Sequence, residues 1–309
     1  MDGKRIVFAG AGAPSRGTPW STLGVITRRA LAPLGYEVEI EEESAGERNT
    51  RFVGEGKADI GATLFRLVRD AYDGTHSYAG EPPKRHLRLI ATIQQANWIG
   101  VAVRAESDIT DLHQIAERRM PVRIKMSPDR SVAILMEYYG LSRELIESWG
   151  GHFIHNPDRT DHILTPWVVD GAFDLIIDPI YAAYTPEHGH WWEATSRYDL
   201  RFLPLPADLV QRMLDEGEGE CASNIPNHLM RGVTSDIPSV QRLPQVIYTR
   251  DDVDAGFVYE VAKALDDSRH LFRETHMPYS YDPRLVAQPR SVPLHDAAAK
   301  YYREMGYLR

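Results

Sequence analysis

Through the first hundred residues, short apolar β-rich runs alternate with helix-like segments. That alternation restricts the chain more than any catalytic motif does. Arg5 to Ala9 reads as a strand, Trp20 to Pro33 as a helix, Glu37 to Glu42 as a strand, Asn49 to Gly56 as a short helix and Asp59 to Leu64 as a strand. Strands that alternate with helices predict parallel βαβ units, so the fold class is α/β. In such sheets ligands gather beyond the carboxyl ends of the strands. The loops Gly10 to Ser21 and Ser44 to Asn49 are therefore expected on one rim, with Gly12, Asn49 and Thr63 among the residues facing a ligand.

After the apolar runs Leu87 to Gln94 and Trp98 to Val103 the pattern restarts. Ile109 to Arg118 and Ser131 to Tyr139 read as helices, and Val122 to Met126, Phe153 to His155 and Phe173 to Asp178 as strands. His162 to Val169 reads as a helix, and Ser142 as a helix cap. Ala207 to Ile237, with its run Asp215-Glu216-Gly217-Glu218-Gly219-Glu220, is too polar to bury much and reads as an exposed helix end and loop. Gln245 to Thr249 returns as a strand, followed by helices Ala255 to Asp267 and His295 to Met305. At 309 residues and 43% hydrophobic, the chain can fill two ordinary cores. The expected lobes are residues 1–103 with 237–309, and 104–236.

Composition excludes several classes. A formal charge of −9 with scattered acidic residues gives no concentrated basic face for nucleic acid. Cys221, the single cysteine, rules out an intrachain disulfide and a multi-cysteine zinc site. No stretch approaches the ~20 apolar residues that cross a bilayer, and the N-terminus lacks a charged segment followed by an apolar one. The expected compartment is periplasmic if a leader has been removed ahead of Met1, and cytoplasmic otherwise.

The loop after the first strand, Gly10-Ala11-Gly12, fails the dinucleotide fingerprint because Ser15 stands where the third glycine belongs. Helix-start N–H groups with the hydroxyls of Ser15, Thr18 and Ser21 would instead cradle a small anion, beside Trp20. Arg16, Arg48 and Arg130 each fall in an expected rim loop, where a guanidinium can grip a carboxylate; the alternative is that each is a surface side chain. Ser127-Pro128-Asp129 turns the chain into the helix that carries Arg130 and Ser131.

Gln94, Asn97 and Trp98 lie near the expected crossover between lobes, and Trp98 reads equally as a core residue. Asp178, before Pro179, and Tyr181 close a strand; Asp178 suits a ligand ammonium, a general base or a turn cap. His188-Gly189-His190, and His152 with His155, raise a metal question, but two imidazoles need a third ligand, and Trp191-Trp192 points to a packed lid or interface. No metal or cofactor is expected.

Several pieces agree in order with one family. The opening run Lys4 to Gly12 and the closing run Pro293 to Gly306 frame the chain, with Gly54 to Gly61, Asp70-Ala71-Tyr72-Asp73-Gly74, Ile109-Thr110-Asp111-Leu112 and Gly171-Ala172-Phe173-Asp174 between them. In these stretches the chain resembles the TAXI family of solute receptors that feed TRAP transporters. The resemblance implies a two-lobe, type II periplasmic-binding-protein fold with hinge closure. It implies a small carboxylate-bearing ligand in the cleft between lobes, and a TRAP membrane permease as partner. Both ligand loops depart from the pattern. Ala13 to Trp20 replaces a Gly-Gly-rich stretch with a tyrosine, and Met126 to Ser131 replaces Pro-Gly-Ser-Gly-Thr. The alternative is a cytoplasmic decarboxylase- or lyase-type enzyme on the same scaffold, acting on an aromatic or unsaturated acid through Asp178, Arg130 and Arg16.

Overall fold

A computed structural model describes residues 4–10, 17–41, 46–154 and 165–308. The chain divides into two compact units, Met1–Gln95 with Leu243–Arg309, and Ala96–Arg242.

The first unit opens with β1 (Lys4–Ala9), α1 (Pro19–Leu31), β2 (Tyr36–Glu41), α2 (Glu47–Gly54), β3 (Ile60–Leu64), α3 (Phe65–Asp73) and β4 (Leu87–Ile93). β2 shows how pattern becomes structure. Its Tyr36, Val38 and Ile40 turn inward while Glu37 and Glu39 face water, as a period of two requires. α1 starts where Thr18 accepts a hydrogen bond from the Ser21 amide and Pro19 supplies a preset φ.

The second unit follows as β5 (Asn97–Arg104), α4 (His113–Arg118), β6 (Arg123–Met126), α5 (Arg130–Tyr138), α6 (Arg143–Ser148), β7 (His152–Ile154), α7 (Pro166–Val169) and β8 (Leu175–Tyr181). It closes with α8 (His190–Arg197), β9 (Leu200–Phe202), α9 (Ala207–Asp215), β10 (Cys221–Ile225) and β11 (Ile237–Gln241). The chain then returns to the first unit for β12 (Gln245–Arg250), α10 (Ala255–Asp267), α11 (His270–Arg273) and α12 (Asp296–Glu304).

In the first unit the strand order is β2-β1-β3-β12-β4. β1, β2 and β3 are parallel, and the late strand β12 inserts antiparallel between β3 and β4. In the second the order is β10-β11-β5-β8-β6-β7, with β9 also on β5. β6, β7 and β8 are parallel, whereas β5 runs against β8. Each sheet carries apolar clusters on its two faces, so each unit has its own core. The helix-flanked α/β architecture agrees with the expected fold class, while residues 96–103 and 237–242, expected with the first lobe, fall in the second unit.

Three expectations need correction. Ala207 to Ile237 is not only a helix end and loop: α9 buries Leu209, Val210 and Met213, and β10 pairs antiparallel with β11. β10 was hidden because as an edge strand it buries only Ile225 well. β8 does not stop at Asp178 but runs through Pro179 to Tyr181, paired to β5 along its length. The β6 ladder ends at Met126 opposite Ile177, so Pro179 sits where β8 is paired on one side only. Of the helix expected over His162 to Val169, Pro166–Val169 is helical and residues 162–164 lie outside the described residues.

Candidate functional site

The second unit gathers charge inside its apolar core. β6 and β8 are parallel neighbours, and successive side chains alternate between the faces of the sheet. Ile124, Leu175 and Ile177 join the core on one face. Ile176 and Ile180 join the core on the other, which includes Trp191 and Ala194 of α8. Lys125 and Asp178 follow this second phase, so a cation and a carboxylate meet among tryptophans and isoleucines.

Asp178 is fully buried, and Lys125 is 5% exposed. Lys125 Nζ donates to Asp178 Oδ2 at 3.1 Å, and Ser127 Oγ donates to Oδ1. His188 Nδ1, just before α8, lies 3.5 Å and His190 Nε2, at the first residue of α8, lies 2.9 Å from Asp178 Oδ2. Neither ring nitrogen of His190 makes a hydrogen bond, although the residue is wholly buried. Burial opposes ionisation of Asp178, but the Lys125 ammonium and the two histidine contacts outweigh it and hold the carboxyl well below its usual range. Burial brings the His190 imidazole down to about 4, against the pull of Asp178. His190 is therefore neutral at physiological pH. Tyr181 is also buried, its ring centroid 5.0 Å from that of His188, and burial pushes its phenol up.

A second ion pair, half-buried, stands at the start of α5. Asp129 caps that helix, accepting from the Ser131 amide at 3.0 Å and from Ser131 Oγ at 2.6 Å, and it pairs with Arg242. Arg242 in turn donates its backbone N–H to the Asn97 carbonyl at 3.0 Å. Arg130 points to the acidic segment after α9, with Nη2 2.9 Å from Glu216 and Nε 3.4 Å from Glu218. Trp98 is 6% exposed and donates Nε1 to Ser223 Oγ at 3.1 Å.

In the first unit, Gly12, Ser15 and Arg16 lie outside the described residues. Thr18 caps α1, and Trp20 donates Nε1 to Gln245 of β12. Arg48 is exposed, its guanidinium 5.7 Å from the Phe52 ring centroid. Asn49 of α2 and Thr63 near the end of β3 are wholly buried. Asn49 Nδ2 donates to the Ala62 carbonyl at 3.0 Å, while Asn49 Oδ1 and Thr63 Oγ1 have no hydrogen-bond partner. Gln94 is half-buried, its Nε2 likewise without a partner.

Of the residues singled out from sequence, Ser127, Asp178 and Tyr181 come together around one cluster, and Asn49 and Thr63 around another. Lys125 and Arg242 were missed. The signal for Lys125 was a charge in the inward phase of an apolar strand. His188 and His190 do find a third donor in Asp178, one ligand atom of each lying within 4.8 Å of the others. His152 is exposed on β7, and His155 lies outside the described residues.

Two helix-flanked mixed sheets, one built from the N- and C-terminal segments and the other from the residues between them in sequence, define a two-unit α/β protein. The chain belongs to the NMT1-like family, whose model matches residues 12–155 and 178–306. No curated protein matches it. Among solved structures it is similar to a TctC solute binding protein from Polaromonas, at 14% identity, with all of both chains covered and a TM-score of 0.49. It is also similar to the periplasmic aliphatic sulphonate binding protein SsuA from Escherichia coli, at 11% identity over 99% of this chain and 79% of that one, TM-score 0.46. Among the described residues no helix is long and apolar enough to cross a membrane.

Proposed function

We propose that this chain is a periplasmic solute-binding protein that captures a small carboxylate-bearing molecule between its two lobes and presents it to a TRAP-type permease. The observation that carries the reading is the family match, which spans both units. The connectivity supports it: the chain passes between the units only at Gln95–Ala96 and Arg242–Leu243, and each unit has a separate core. Two units so linked can change orientation without dismantling either core. A solute that engages both in the closed state would shift the population toward that state by its differential affinity.

One observation favours a second reading, an enzyme of the decarboxylase or lyase type. Asp178, Lys125 and His190 form the kind of buried, closely spaced set of ionisable groups that acid–base chemistry uses. A thermal-shift screen of the whole chain against small carboxylic acids and sulfonates, with mass analysis of each ligand afterwards, separates the two. A raised melting temperature with unaltered ligand supports the receptor, and steady conversion of the ligand overturns it.

A further inference from the structure

We infer that Asp178, His188 and His190 form a binding site for a zinc-class divalent metal ion, independent of which solute the protein carries. Three side chains contribute one donor atom each, all within 4.8 Å of one another. The carboxylate oxygen stands 2.9 Å from His190 Nε2 and 3.5 Å from His188 Nδ1. In a tetrahedral site with bonds of ~2.0–2.1 Å, neighbouring donors stand about 3.3 Å apart, so these two distances bracket the required edge.

Polar satisfaction points the same way. His190 is wholly buried with neither ring nitrogen in hydrogen-bond geometry, and the buried His188 Nδ1 is likewise; His190 Nε2 and His188 Nδ1 face Asp178 Oδ2 by proximity alone. Buried polar atoms ordinarily have partners, and a metal on these two nitrogens supplies one for each histidine. The donor set of two imidazoles and one carboxylate suits zinc and its first-row neighbours, whereas magnesium and calcium take oxygen donors. Ser127 Oγ holds the other carboxylate oxygen, the outer-shell support that a metal-bound carboxylate normally receives. Three protein donors leave a fourth position for water.

Lys125 sets the affinity. Its ammonium bonds the same Oδ2 that would meet the metal, so ammonium and dication compete for one oxygen. The site is therefore expected to bind weakly in the natural chain and tightly once Lys125 is neutralised.

The test uses the tag-free full chain, stripped with a chelator and titrated calorimetrically with Zn²⁺ and, separately, Mg²⁺, with Co²⁺ as a spectroscopic probe. One equivalent of Zn²⁺ should bind, Mg²⁺ should not, and Co²⁺ should give the intense visible bands of a four-coordinate site. His188→Gln should weaken Zn²⁺ at least tenfold and abolish the Co²⁺ bands, and Lys125→Met should tighten Zn²⁺ at least tenfold. His188 lies at the edge of the cluster, so circular dichroism of His188→Gln should match that of the natural chain. Absence of stoichiometric Zn²⁺ binding in both the natural chain and Lys125→Met would overturn the site. So would Zn²⁺ binding that His188→Gln leaves unchanged.

Discussion

Lys125 Nζ lies 3.1 Å from Asp178 Oδ2, and the side chains are only 6% and 1% exposed. Removing one member of such a pair leaves an uncompensated charge in the core. Lys125→Met in metal-free protein should therefore cost about 3–5 kcal/mol in urea denaturation. The double variant Lys125→Met/Asp178→Asn should recover at least half of that loss. Additive losses in the double-mutant cycle would show that the two groups are not coupled.

Asp129 serves both α5 and Arg242, so its substitutions should separate the two roles. Asp129→Asn keeps an oxygen for the Ser131 amide but leaves Arg242, 6% exposed, without its anion. Asp129→Ala also removes the cap and should cost about 1 kcal/mol more than Asp129→Asn in thermal or urea unfolding. Equal losses would mean that the cap contributes nothing.

Burial lowers the His276 imidazole from 6.5 to about 4, and its Nε2 has no hydrogen-bond partner. The unfolded chain thus binds a proton that the folded chain refuses between those two values. Stability falls as pH drops through 6.5 and continues to fall until about 4, a loss of up to about 3 kcal/mol. His276→Gln should flatten that part of the stability profile, read by urea denaturation at a series of pH values. An unchanged slope between pH 6.5 and 4 would contradict the assignment.

Gly100 lies opposite Asp178 in the β5–β8 ladder. A methyl group there would stand 2.2 Å from Ile180 Cδ1 and 3.1 Å from Trp191 Cζ2. Gly100→Ala should cost about 1–3 kcal/mol through overpacking. Adding Ile180→Ala should return part of it, whereas no rescue would place the strain elsewhere.

The fold was far more legible in the sequence than the site. β1, β2, β3, β5 and α10 announce themselves through period-two or helical spacing of apolar residues. β10 does not, because Cys221, Ala222 and Asn224 face solvent. Asp178 was legible as a candidate, but its placement before Pro179 suggested a strand end, and only the pairing of β5 with β8 carries the strand onward. Lys125 and Arg242 acquire meaning from partners 53 and 113 residues away, Asp178 and Asp129, and no local pattern records such pairings. The loop position of Arg130 suggests a ligand clamp, and nothing local to it records its pairing with Glu216.

The task proposed for this chain is solute capture without turnover. Isothermal titration of the whole chain with small carboxylates and sulfonates, with recovery of each ligand for mass analysis, tests it most directly. The account predicts saturable binding of one equivalent of a carboxylate that is recovered unaltered. A panel with no saturable binder, or a ligand recovered as product, would contradict it.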